Sequence, residues 1–166
     1  CAKPTATHPA RAPAAPPSSS AALANAADDF WDELIRHSPL FATAVGDHSR
    51  DSELDDLSSK EARTHVDKLF SLRVRLDSIE PGELSATERA TLDALRETLD
   101  GRLDAANACS PWTWQVDPLD GPAIHLLQLP VYQTIQTKDD AAALAARYKA
   151  STPFFDGHIK ALRAGL

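Results

Sequence analysis

Five histidines lie beyond the proline-rich start of the chain, at His37, His48, His65, His125 and His158. Imidazole can move protons near neutral pH or ligate zinc, and zinc needs two or three such ligands at fixed spacing with a carboxylate. Neither His-Glu-x-x-His nor paired Cys-x-x-Cys occurs. Spread over separate elements, each histidine reads as a surface or internally satisfied residue. No catalytic residue, metal ligand or cofactor is therefore assigned within the segment, though a site shared in three dimensions stays open. The stretch Asp47-His48-Ser49-Arg50-Asp51-Ser52-Glu53 alternates oxygen-bearing side chains as a calcium loop does. Ser52 stands where that loop needs glycine, and Ser58 where it needs a bidentate glutamate, so calcium is set aside. A Gly-x-Ser-x-Gly elbow and a glycine-rich phosphate loop are both missing, and 6 glycines in all argue against nucleotide binding by such loops.

The chain has 166 residues, 43% hydrophobic, 25% charged and 6% aromatic, a composition that suits one helix-rich globular unit. Its net charge of −7 disfavours nucleic acid or an anionic lipid surface held by charge alone. Methionine is absent and the first residue is Cys1. A leading cysteine followed by small residues is what remains after a bacterial lipoprotein signal is cut, so Cys1 is expected to carry a lipid. The expected setting is the cell envelope, on the periplasmic or extracellular face, with the membrane as a partner through that lipid. Residues 1–19 contain Pro4, Pro9, Pro13, Pro16 and Pro17 and read as a disordered, polyproline-leaning tether. Cys109 then has no pairing partner and reads as a buried free thiol.

Residues 20–166 carry the helical pattern, and the expected fold is all-α, with antiparallel hairpins and a proline-rich loop segment. The first helix is expected from an N-cap at Ser20, with Leu23, Ala27, Phe30, Trp31, Leu34 and Ile35 inward, ending at Ser38-Pro39. A short apolar piece, Leu40 to Val45, leads into Gly46. The acidic run Glu53 to Asp56 reads as a solvated turn. Capping boxes at Ser58/Glu61 and Ser85/Glu88 open two helices that should pack antiparallel. The first buries Val66, Leu69, Phe70, Val74 or Arg73, and Leu76; the second buries Leu92, Leu95, Leu99 and Leu103. Residues 109–136, with Pro111, Pro118, Pro122 and Pro130, read as looped, apart from a helical turn around Ile124–Leu129. Trp112 and Trp114 there suit loop anchors better than a ligand platform. Thr137 and Thr152-Pro153 open two last helices, the second placing Phe155, Ile159, Leu162 and Leu166 on one stripe that runs to the final residue without a stop.

Phe30-Trp31, Ser38-Pro39, Ala42-Thr43, Gly46-Asp47-His48, Asp51 and Leu54-Asp55-Asp56-Leu57-Ser58 together resemble the opening of the bacterial domain of unknown function 885 family. Leu76-Asp77-Ser78-Ile79, Leu84-Ser85, Glu88-Arg89 and Asp93-Ala94-Leu95 resemble its second stretch. Asp117-Pro118-Leu119-Asp120-Gly121-Pro122, Leu129-Pro130 and Thr137-Lys138-Asp139-Asp140 resemble its third, followed by its next helix from Ile159 to Leu166. The resemblance spans about residues 25–166. It implies the N-terminal portion of a larger, exported, often lipid-anchored helical protein whose complete members look like zinc metallopeptidases acting on peptides or proteins. The zinc ligands of such proteins lie far downstream, so none is carried over. It also implies a role for Gly46, Asp47 and His48 as a turn bordering the substrate channel. Local chemistry offers a simpler role: glycine makes the turn, Asp47 caps a following amide and His48 bonds nearby. The competing function is a self-contained envelope lipoprotein that binds a partner without catalysis. If Cys1 is lipidated, the cell-derived protein should show a matching mass increase and partition into membranes, and Cys1→Ser should abolish both.

Overall fold

The computed structural model describes residues 17–108 and 121–164. Every regular element there is helical: α1 (Ser19–His37), α2 (Pro39–Ala44), α3 (Ser59–Asp77), a 3-10 turn (Pro81–Glu83), α4 (Ala86–Ala108), α5 (Pro122–Tyr132), α6 (Lys138–Lys149) and α7 (Ser151–Ala164). The fold is all-α, as the periodicity predicts. Cys1, Cys109, Trp112, Trp114 and Leu166 lie outside the described residues.

Local chemistry explains most helix starts. Of the three serines 18 to 20, it is Ser18, extended at ψ 157 and just before α1, that accepts the Ala21 amide. Ser20 therefore sits inside the helix, where its hydroxyl donates to Glu88 instead of capping. Ser58 caps α3 by accepting the Glu61 amide at 3.2 Å, but the reciprocal half of that box is absent. Asp56 takes the Ser58 amide, and the Glu61 carboxylate meets Arg36 at 2.7 Å. At α4 the box is complete, with Ser85 N donating to Glu88 at 2.8 Å and Glu88 N to Ser85 at 3.3 Å. Thr137 and Asp140 form the same reciprocal pair at α6.

Two apolar clusters form. In the first, Leu23 and Ala26 of α1, Leu69, Leu72 and Leu76 of α3, and Leu92 and Leu99 of α4 pack together, with Ile79 and Leu84 closing the end. Helices α3 and α4 run antiparallel, tied by Arg73 to Asp100 at 2.6 Å and by Arg96 to the Leu76 carbonyl at 2.8 Å. In the second, Leu126 and Leu129 of α5, Leu144 of α6 and Phe154 of α7 gather Leu40, Leu54 and Leu57.

The buried stripes correct the expected ones. Trp31, Phe70 and Val74 face solvent, and α3 instead buries His65, Leu69, Leu72 and Leu76. In α1 the polar residue Glu33 is buried with Leu23, Ala26 and Ile35. In α7 the inward residues are Phe154, His158 and Ala161, while Ile159 is exposed. That is the expected stripe displaced by one position. Asp55 is not a solvated turn residue either, because its carboxylate accepts the Leu40 amide at the start of α2.

Helix α5 is longer than the single turn foreseen, running through Pro130. Gly121 and Pro122 start it, proline at the first position losing only an amide that would be unpaired anyway. Pro130 removes the amide that would bond the Leu126 carbonyl. The Tyr148 hydroxyl of α6 donates to that carbonyl at 3.3 Å and replaces the lost bond.

Arg147 of α6, 0% exposed, fastens α6 to α2 and to the connection that follows it. Its Nε donates to the Glu53 carbonyl at 2.8 Å, its Nη1 to Gln133 Oε1 at 3.0 Å, and its Nη2 to the carbonyls of Pro39 and Arg50 at 3.0 Å each. Gln133 in turn donates to the Asp51 carbonyl at 3.1 Å. Asp51 accepts from Thr43 at 2.7 Å and lies 3.8 Å from Arg147. The segment between α2 and α3 has no helix to satisfy its carbonyls, and Arg147 supplies donors in its place. Arg147→Met should lower unfolding free energy in urea by about 3–5 kcal/mol, because it strands buried acceptors. Arg147→Lys should recover little, since an ammonium has no planar fork. The surface change Leu127→Ala should stay within about 0.5 kcal/mol.

Candidate functional site

Helix α2 ends in a reversal that needs glycine. Gly46 has φ 90, the Gly46 amide bonds the Thr43 carbonyl at 3.1 Å, and the Asp47 amide bonds the Ala42 carbonyl at 2.9 Å. This is the paired-bond terminus that a left-handed residue permits. Asp47 then accepts the Ser49 amide at 2.9 Å, and His48 Nδ1 lies 2.9 Å from Asp51 Oδ2. Both side chains are used as the local reading expects. Hydrogen bonding from the Ser49 hydroxyl, and then from its amide, holds the Asp47 carboxyl below its ordinary value.

Asp47 has a second surrounding. It lies on the wall of a cleft of about 520 Å³ formed with α1 and α3, shared with Asp32, Glu33, Arg36, Lys68 and Arg75. Gly46 and His48 are not among its lining residues. The tripeptide thus divides, with Asp47 facing the cleft and His48 facing the Asp51 network.

Glu33, 4% exposed, anchors the cleft. It accepts a two-pronged bond from Arg36 at 2.8 and 2.7 Å, His65 Nδ1 at 2.7 Å, and Lys68 at 3.1 Å. Burial raises its pKa, but the bonds from Arg36, His65 and Lys68 outweigh burial and bring it down to about 2. Glu33 and Glu61 hold the Arg36 guanidinium still more firmly protonated than usual. His37 and His65 stack face to face, their ring centres 3.6 Å apart and their planes within 6°. Burial, and then the His65 charge, pushes the His37 imidazole below its ordinary value.

This arrangement supplies fixed charge. A carboxylate ionised down to about pH 2 is a feeble base at neutral pH, so Glu33 organises cations and is unsuited to accept protons from a substrate. Stacked parallel rings aim their nitrogen lone pairs along parallel planes, a poor geometry for two ligands converging on one zinc ion. Among the described residues no group of three or more His, Cys, Asp or Glu is placed to hold a metal.

The constellation of Glu33, Arg36, His37, Glu61, His65 and Lys68 escaped the sequence reading. A signal existed: His65 stands four residues before Leu69 and seven before Leu72, in register with the buried stripe of α3. Glu33 and Arg36 are likewise three apart on α1.

Fold and cleft define an all-helical protein with two apolar clusters, a buried arginine that ties α6 to the α2–α3 connection, and a mixed-charge cleft between α1, α3 and the turn after α2. Residues 39–166 match the family model described as bacterial protein of unknown function (DUF885), and the chain belongs to that family. The match begins at Pro39, so α1, which contributes Glu33 and Arg36, precedes it. No curated protein and no solved structure matches the chain.

Two titrations set the acid sensitivity of the cleft. His37 is harder to protonate folded than unfolded, so its contribution is present above about pH 6.5 and fades as pH falls below that value. Glu33 is lowered from 4.5 to about 2, so its contribution is present above 4.5 and is lost as pH falls toward 2. Urea unfolding across pH should show both losses, with His37→Ala flattening the upper one and Glu33→Gln the lower one.

Proposed function

We propose that the chain is the N-terminal helical portion of an exported bacterial lipoprotein, anchored through a lipid on Cys1, whose complete form resembles zinc metallopeptidases. Family membership over residues 39–166 supports the setting. The supporting observation within the fold is an apolar stripe on α5, where Leu127 and Val131 are 74% and 76% exposed and lie four residues apart on one face. Monomeric proteins seldom leave large apolar side chains grouped in water unless something covers them. Further helices of the same protein are the covering that the family resemblance implies.

In that reading these helices wall a substrate cleft and contribute no metal ligand. Zinc, when bound downstream, would activate a water for attack on a peptide carbonyl. What this segment offers is charge and shape: Asp47 and the cations around Glu33 would meet the polar backbone and termini of a peptide. The same exposed stripe also supports a second reading, a self-contained envelope lipoprotein that uses α5 to bind a partner without catalysis.

The complete reading frame separates the two. A downstream His-Glu-x-x-His helix, about one zinc held per chain after dialysis, and slow thiol labelling of Leu127→Cys relative to the 166-residue chain are expected if the helices form a wall. A reading frame closing at Leu166, with rapid labelling at the same position, would establish the binding module.

A further inference from the structure

A groove of about 590 Å³, separate from the mixed-charge cleft, runs between the segment before α3 and one side of α7. Leu54, Leu57, Pro153 and Phe154 give it apolar walls, and Lys60 and Lys160 stand on its rim. Both lysines are solvent-exposed, and among the described residues neither is in an ion pair. The two rim carboxylates are engaged: Asp55 accepts the Leu40 amide and Asp56 the Ser58 amide. Burial pushes the Asp55 carboxyl upward, weakening its claim on a nearby cation.

Gly157 gives the groove its depth. It lies inside α7 with ordinary helical backbone, where glycine is less favourable than alanine. A Cβ there would meet Leu57 Cβ at 3.9 Å, an ordinary contact, so close packing does not demand glycine. A longer side chain at that position would project into the groove.

We infer that this groove binds an amphiphile with an anionic carboxylate head and a single apolar chain, a fatty-acid-like ligand, the head lying between Lys60 and Lys160 and the chain against Leu54, Leu57, Pro153 and Phe154. The free amides in the first turn of α3 reinforce the preference for a negative head. A peptide fits less well. Its backbone amides need hydrogen-bond partners along their whole length, and on the α7 side Gly157, Lys160 and Ala161 lie inside the helix, where backbone groups are paired with one another. Pockets of this size lined mainly by apolar side chains, with a few polar groups, are typical of small-molecule sites.

Titration calorimetry of the full chain with dodecanoate, below its micelle concentration, is expected to show saturable binding at least about tenfold tighter than dodecyltrimethylammonium, which has the same tail and opposite charge. The double variant Lys60→Gln/Lys160→Gln changes only exposed side chains and should erase that preference with circular dichroism unchanged. Gly157→Leu should abolish dodecanoate binding by filling the groove. Equal binding of the two amphiphiles, undiminished binding in the lysine variant, tighter binding of an apolar peptide with a free C-terminal carboxylate, or no dodecanoate binding at all would each overturn the inference.

Discussion

The guanidinium of Arg147 does what no backbone group can do: it gathers the carbonyls of Arg50 and Glu53, from the connection between α2 and α3, and of Pro39, at the start of α2, at one point. Arg50 and Glu53 belong to a stretch with little regular structure of its own, Pro39 opens α2, and buried carbonyls without donors are unfavourable. Burial disfavours the charge itself and pushes the Arg147 pKa down, while Asp51, Asp55 and Glu53 oppose that. A buried charge is tolerated only where partners surround it, so the geometry of this node is narrowly specified. The path of the chain from Pro39 through Arg50 to Glu53 is held against α6 by it.

Helices and their starts were largely legible because they are written in neighbouring residues. The Ser85/Glu88 box, the helix start at Thr137 and the Ser38-Pro39 break all act within four residues, and the structure has each where the spacing puts it. Which face turns inward was less legible. Phe70 and Val74 are more hydrophobic than His65, yet His65 is buried because Glu33, more than thirty residues earlier, supplies its partner. Glu61 illustrates the same competition, leaving its own helix cap for Arg36. Local rules predict what a side chain can do nearby and carry no information about a distant charge.

The candidate site was legible in one part and hidden in another. Gly46 and Asp47 act as their types predict, because a left-handed turn and an amide-capping carboxylate are local devices. That Asp47 also faces a cleft depends on α1 and α3 crossing beside it, a tertiary fact. The stacked His37 and His65 come from different helices at positions that no linear motif links. Arg147 was equally invisible: in an alanine-rich helix it looks like one more surface charge until Gln133 and the α2–α3 carbonyls are seen around it.

Pro130 leaves α5 short of one internal bond, and the Tyr148 hydroxyl of α6 makes good the deficit. Helix α5 is therefore not self-sufficient, since a phenol from its neighbour completes its backbone. Drawing α6 away would bare the Leu126 carbonyl beside the apolar cluster, and α6 is itself fastened through Arg147 to the α2–α3 connection. Motion of either helix is thereby tied to the other, so this half of the protein should breathe as one cooperative block, with slow amide exchange rising and falling together across both helices.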